Sequence, residues 1–317
     1  MVSRITRKVI HWGGPLSVSI EPTNLCNLHC PECPSGTRTL KRERGFIGRD
    51  TFKKIIDQLS QELYYLTFYF QGEPYLHPEF HEMVSYVKSK KIYVSTSTNG
   101  HFLTETNAIS TIKSGIDRLI ISLDGTDQES YSSYREGGSY EKVLQGISEI
   151  VKQKKSLKSD KPYIVIQFLV LKTNQHQIRE IKQLGVEHGV NKVELKTAQF
   201  YDFEKGNPLM TDIDHYSRYK RFDSGSDNTP LFKIKNRLPN HCFRMWSSCV
   251  ITWDGWVVPC CYDKDSGHKM GNLNDQSFRE IWTSQKYKEF RKKILHSRKE
   301  IDICKNCTEG MGAGFFF

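Results

Sequence analysis

No run of 18 apolar residues occurs in the 317-residue chain, so no membrane-spanning helix is expected. The N-terminal stretch MVSRITRKVIHWGG is basic. It lacks a long apolar segment and a small-residue cleavage site, which argues against a secretory signal and for a cytoplasmic protein. There is no repeat of solenoid period and no low-complexity tract. Cysteine is absent between Cys33 and Cys242, although three cysteines precede that gap and six end or follow it. An odd total of nine excludes a complete intrachain disulfide set, and small secreted scaffolds do not group their cysteines in two blocks. Acidic residues are in deficit, 36 against 46 Lys and Arg, for a formal charge of +10. The basic residues are spread along amphipathic stretches such as 287–299. They read as a solvated face compatible with an anionic substrate, and nucleic acid is not an expected partner.

What is present is an ordinary core, with 37% hydrophobic residues and a mean hydropathy of −0.56. The length suits one large domain and a smaller one. Strand-like segments at 16–21 (LSVSIE), 65–70 (YLTFYF), 92–98 (IYVSTST), 118–123 (RLIISL), 163–171 (YIVIQFLVL) and 192–196 alternate with helical ones. The helical segments are 50–63, 79–90, 104–114, 140–155 and 175–188, the first with Asp50 as its expected N-cap. Six βα units with apolar strands imply a parallel sheet covered by helices, either a partial barrel or an open doubly wound sheet. In both, function sits at the carboxyl ends of the strands. Three regions are expected: a core domain over 1–200, a connector over 201–240 that is partly helical near Tyr216, and a cysteine-rich module over 241–317.

Cys26, Cys30 and Cys33 form C-x3-C-x2-C directly after the first strand. Three soft thiolates in a proline- and asparagine-rich loop suit an iron–sulfur cluster with one iron left open. Zinc is the competing reading, with His29 offered as a fourth ligand, but His29 lies between two of the cysteines in a tight loop. At these residues the chain resembles the radical S-adenosylmethionine (SAM) superfamily, whose signature is this spacing after the first strand of a partial (β/α)6, TIM-like barrel. The family usually has an aromatic residue before the third cysteine; here it is Glu32. The resemblance extends over about residues 16–310 and implies SAM contacts at successive strand ends. These are the Gly72-Glu73-Pro74 turn for the amino group, Thr98 and Asn99, then Ser122 and Asp124, with Arg135 for the carboxylate.

Cys242, Cys260, Cys304 and Cys307 follow C-x12-G-x4-C, x43, C-x2-C, with Gly255 inside Trp253-Asp-Gly-Trp256. Asp-Gly between β-rich runs is a hairpin signal. The spacing resembles the SPASM/twitch auxiliary-cluster domains, a cysteine-rich β-hairpin and helix unit. With no cysteine after Cys307, it matches the shorter twitch form known from aminocyclitol dehydrogenases. Two [4Fe-4S] clusters and SAM are the implied cofactors. Cys249 and Cys261 are left over and read as buried small hydrophobes, with replacement of an assigned ligand as the open alternative.

The resemblance implies reductive cleavage of SAM to a 5′-deoxyadenosyl radical, hydrogen abstraction from the substrate, and completion of an oxidation through the auxiliary cluster. Flavodoxin or ferredoxin would be the external electron donor. Lys196, Glu194, Tyr69 and Asp263 are candidates for the accompanying base by position. A small molecule such as a cyclitol and a peptide to be crosslinked are the two substrate readings. Little chain precedes the first strand, so no leader-binding domain is expected there. The reading from another class is a zinc- or cluster-binding scaffold or electron carrier, which has no use for Gly72, Glu73 or Arg135.

Overall fold

The computed structural model describes residues 2–222 and 231–308. The 223–230 part of the expected connector and the aromatic 312–317 tail lie outside the described residues. Six parallel strands stand in sequence order: β1 (Ser17–Ile20), β2 (Tyr65–Thr67), β3 (Tyr93–Thr98), β4 (Arg118–Ser122), β5 (Tyr163–Val170) and β6 (Lys192–Thr197). Helices α1 (Val2–Thr6), α2 (Arg49–Leu59), α3 (Phe80–Ser89), α4 (Glu105–Lys113), α5 (Gln128–Ser132), α6 (Tyr140–Ser156) and α7 (Ile178–Glu187) accompany them. This is the partial (β/α)6 barrel expected. The start of α2 differs from expectation: its cap is Gly48, and Asp50 falls inside the first turn, where its charge still complements the helix dipole. Side chains cap three of these helices, Thr104 for α4, Asp127 for α5 and Ser139 for α6.

The strands are not apolar on both faces. Register pairs Val18 with Leu66 and Leu66 with Val94, and this side packs under the helices as the main core. The alternate face carries most of the polar positions: Ser19, Thr67 and Ser95 stand level on β1–β3, and Ser122, Gln167 and Glu194 on β4–β6, with the apolar pair Ile120 and Val165 among them.

Beyond β6 the connector holds a 3-10 turn at Asp214–Tyr216 and an unexpected antiparallel pair, β7 (Tyr219–Phe222) with β8 (Leu231–Ile234). The C-terminal part contains α8 (Arg244–Ser247), β9 (Ser248–Ile251), β10 (Trp256–Val258), β11 (Gly271–Asn272), α9 (Phe278–Thr283) and α10 (Gln285–Ser297). The Asp254–Gly255 hairpin forms as expected, with Gly255 at φ +86°, and a Cβ there would meet the Asn272 side chain at 2.9 Å. The hairpin is also part of the barrel sheet. β9 lies parallel to β1, Ser17 beside Ser248 and Ile20 beside Ile251, so nine strands run from β11 to β6.

That junction is closed by Glu21, fully buried at the end of β1. Its carboxylate takes both terminal nitrogens of Arg42 at 2.5 and 2.6 Å and the Trp253 backbone N–H at 3.2 Å. Burial outweighs these contacts and holds the carboxyl above its usual range. Arg42→Met leaves the carboxylate without its cation and is expected to destabilise the protein by about 3–5 kcal/mol near pH 8. The loss should shrink toward pH 5, because a raised carboxyl takes up a proton there and sheds its charge. Urea midpoints at the two pH values test this, and an equal loss at both would be inconsistent with it.

Candidate functional site

The first cysteine loop is built by close backbone contact. Gly72, at φ +76°, leaves no room for a side chain: a Cβ would lie 2.5 Å from the Leu25 carbonyl. Its N–H donates to Ser35 Oγ at 3.2 Å, and the Glu73 N–H to the Leu25 carbonyl at 2.7 Å. The Gly-Glu-Pro turn is thereby locked against the segment that leads into Cys26. Gly36 is equally constrained, since a Cβ there would meet the Cys30 backbone at 2.7 Å.

The expected strand-end residues converge on this loop. Glu73 is buried and accepts from Thr98 Oγ1 (2.8 Å), the Asn99 N–H (2.7 Å) and the Tyr75 N–H (3.1 Å), which ties the end of β2 to the end of β3. Burial raises its carboxyl to about 7 despite these donors. Asn99 Nδ2 donates to Asn27 Oδ1 at 2.7 Å and lies 4.0 Å from Cys26 Sγ. Asp124 accepts from the Leu169 N–H at 2.6 Å and pairs with Arg135 Nε at 2.5 Å. Arg135 Nη1 stands 3.9 Å from Cys30 Sγ. Ser122 ends β4 on the polar face. Glu32, where the family has an aromatic, accepts from Asn207 Nδ2 at 2.9 Å and the Tyr201 N–H at 3.4 Å, so it fastens the connector to the cysteine loop.

The second group assembles from three places in the chain. Cys242 precedes α8, Cys260 follows β10, and Cys304 and Cys307 form a knuckle after α10. Cys260 neighbours Cys242, and Cys242, Cys304 and Cys307 share the buried Arg298. Asn236 Nδ2 donates to the Cys307 carbonyl at 2.6 Å, and Asn306 bonds Tyr219 and Phe200, so the connector braces the knuckle. Cys249 packs in the main core beside Tyr287 and Arg291. Cys261 differs from its reading as a buried hydrophobe. It is only half-buried, its sulfur lies 4.0 Å from Arg244 Nη1, and it neighbours Tyr69, Tyr262 and Lys264. Cys261 and Cys260 hydrogen-bond through their side chains, so the adjacent pair stays together beside Cys242.

None of the nine cysteines forms a disulfide. Burial lifts Cys26 to about 11 and Cys304 to about 12, so these sulfurs become thiolates only beside a compensating positive centre. A four-iron cluster takes one thiolate per iron, and donor sets of three and four cysteines fit that chemistry.

The four base candidates have different surroundings. Tyr69 lies near Arg118, Arg244 and Cys261, with burial pushing its hydroxyl up to about 12. Burial would raise Glu194, but Lys192 and Arg118 at 2.8 Å and Lys196 at 3.8 Å prevail and hold it below its usual range. Asp263 serves a turn instead, accepting the Gly267 and His268 N–H groups at 2.7 and 2.9 Å. Three residues near the cysteine groups were not singled out from sequence. Arg218 bridges Thr197 Oγ1 (2.9 Å) and Tyr262 Oη (3.0 Å), closing the gap between β6 and the C-terminal part. Lys264 lies over the Tyr201 ring at 4.9 Å and faces Cys33, Cys261, Arg218 and Glu32, and burial lowers its ammonium. Tyr262 and Lys264 follow Cys260 at alternate positions, which was the available signal. Arg218 lies in a stretch with no motif.

Comparison with known proteins agrees with this geometry. Residues 20–190 match the model of the radical SAM superfamily, and residues 242–308 match SPASM, an iron–sulfur cluster-binding domain. The chain is 28% identical over 325 aligned residues to the tungsten-containing aldehyde ferredoxin oxidoreductase cofactor-modifying protein of Pyrococcus furiosus, covering 91% of this chain and 86% of the relative. It is 25% identical to the antilisterial bacteriocin subtilosin biosynthesis protein AlbA of Bacillus subtilis, covering 85% of this chain and 60% of that one. The crystal structure of BtrN in complex with AdoMet and 2-DOIA shares the fold at TM-score 0.55 and 19% identity, covering 95% and 94% of the two chains. Streptococcus suis SuiB bound to precursor peptide SuiA does so at TM-score 0.67 and 13% identity, covering 96% and 73%. A radical SAM core, an auxiliary cluster domain and these structural neighbours place the chain in the radical SAM superfamily, in its SPASM/twitch branch.

Proposed function

We propose that this SAM-dependent enzyme oxidises a small organic substrate held between two clusters. Cys26, Cys30 and Cys33 would hold the SAM-binding four-iron cluster, and Cys242, Cys260, Cys304 and Cys307 the auxiliary one. The observation that carries this reading is Lys264, which interacts electrostatically with Cys33 of the first group and with Cys261, next to Cys260, of the second. When bound, the first cluster and SAM supply abstraction of a hydrogen atom from an unactivated carbon. Glu73 accepts from the SAM amino group, Arg135 pairs with its carboxylate while anchored by Asp124, and Thr98, Asn99 and Ser122 line the strand ends around it. Oxidation also requires one electron and one proton to leave the substrate. The auxiliary cluster, held by the four-cysteine group, would accept that electron, and a one-electron donor of the flavodoxin or ferredoxin class would supply the electron that SAM cleavage consumes. Cysteines without disulfides suit the reducing cytoplasm. The cofactor-modifying relative is 28% identical and the bacteriocin biosynthesis protein 25%, which supports the small-molecule reading over peptide crosslinking.

Anaerobic reconstitution should give about eight irons per chain, falling to about four in Cys26→Ala/Cys30→Ala/Cys33→Ala, which should also lose formation of 5′-deoxyadenosine from SAM. Cys304→Ala/Cys307→Ala should still release 5′-deoxyadenosine under dithionite. Zinc in place of iron, or unchanged iron in the triple variant, would sink the reading. Glu73 at about 7 gives a second test, because only its ionised form accepts fully from the SAM amino group. SAM should bind about tenfold tighter at pH 8 than at pH 6, and Glu73→Gln should flatten that dependence in equilibrium dialysis.

A further inference from the structure

Arg298 ends the helical run that α10 begins and is fully buried, with 0% of its surface exposed. Its backbone N–H donates to Asn240 Oδ1 at 3.1 Å. One terminal nitrogen donates to the His241 carbonyl at 2.7 Å and the Pro239 carbonyl at 3.4 Å, on the strand of chain that enters Cys242. The other reaches Cys307 Sγ at 3.5 Å, and the guanidinium also hydrogen-bonds the Cys304 side chain. One permanent cation is thus clamped between the segment entering Cys242 and the Cys304–Cys307 knuckle, with three of the four auxiliary cysteines around it.

A guanidinium does not lose its proton in a protein, so this charge is present at every working pH. Adding an electron to a cluster adds negative charge. A buried cation favours the reduced form over the oxidised one, and more strongly in a dry interior than in water. Hydrogen bonds to the ligating sulfurs act in the same direction, and both are recognised levers on cluster potential. We propose that Arg298 is a positioning residue that sets the reduction potential of the auxiliary cluster, raising it so that the cluster accepts electrons from the substrate side. This rests on the two-cluster reading above.

The test is a redox titration followed by electron paramagnetic resonance, in the Cys26→Ala/Cys30→Ala/Cys33→Ala background so that only the C-terminal cluster responds. Arg298→Gln should make the cluster at least tenfold harder to reduce, a midpoint lower by about 59 mV for one electron. Arg298→Lys, which keeps the charge but not the fork, should fall between that value and the parent's. An unchanged midpoint in Arg298→Gln with about four irons retained overturns the role of Arg298 and leaves the two-cluster reading intact. If the glutamine variant holds no iron, the lysine variant is titrated in its place. Loss of iron from both shows a purely structural residue and overturns the proposal. Absence of iron from the triple variant itself overturns the two-cluster reading and this inference together.

Discussion

The structure depends on a carboxylate that water cannot reach. Glu21 ends the first barrel strand at the point where the cysteine loop departs and the C-terminal hairpin arrives. Its two oxygens take Arg42, which lies beyond the three cysteines, and the N–H of Trp253, at the turn of the hairpin. Leaving such a group unpaired would cost several kcal/mol, so the three segments are held in one arrangement. Arg42 Nε also donates to the Lys264 carbonyl at 2.7 Å, and Trp253 Nε1 to the Glu43 carbonyl at 3.1 Å. The segment after the first cysteine group is therefore clasped by the module that carries the second.

That clasp explains why a partial barrel suits this chemistry. Six strands leave one side open, and β9 extends the sheet from β1 while Arg218 and Tyr262 close the far edge at β6. One face of the sheet carries Ser19, Thr67, Ser95, Ser122, Gln167 and Glu194. Burial makes the ionised form of the cysteines unfavourable without a positive partner, and Arg135 and Arg298 each place a guanidinium beside one group.

Much of the barrel was legible because its signals are local. Alternating strand and helix periods, the Asp254–Gly255 turn and the cysteine spacings each occupy a few neighbouring residues and are set by backbone geometry. Asn99 and Asp124 were legible for the same reason, since each follows a strand closely. Long-range closure was not legible. The β1–β9 pairing joins residues over two hundred positions apart, and nothing in SVSI or SCVI specifies the other. Asp50 and Asp263 show the converse, for each carries a charge that sequence could assign to a cap or a base and that the local turn placed elsewhere.

The sequence by itself determined how the thiols are grouped, three in a loop after the first strand and six from position 242 onward. Only the tertiary structure decided that a side chain at position 72 would strike the Leu25 carbonyl, that Cys261 pairs with Cys260 while Cys249 joins the core, and that Arg218, Lys264 and Arg298 matter. The physical reason is range. Spacing and backbone preference act over a few residues, whereas burial and charge pairing are properties of a place, and that place exists only once distant segments have met.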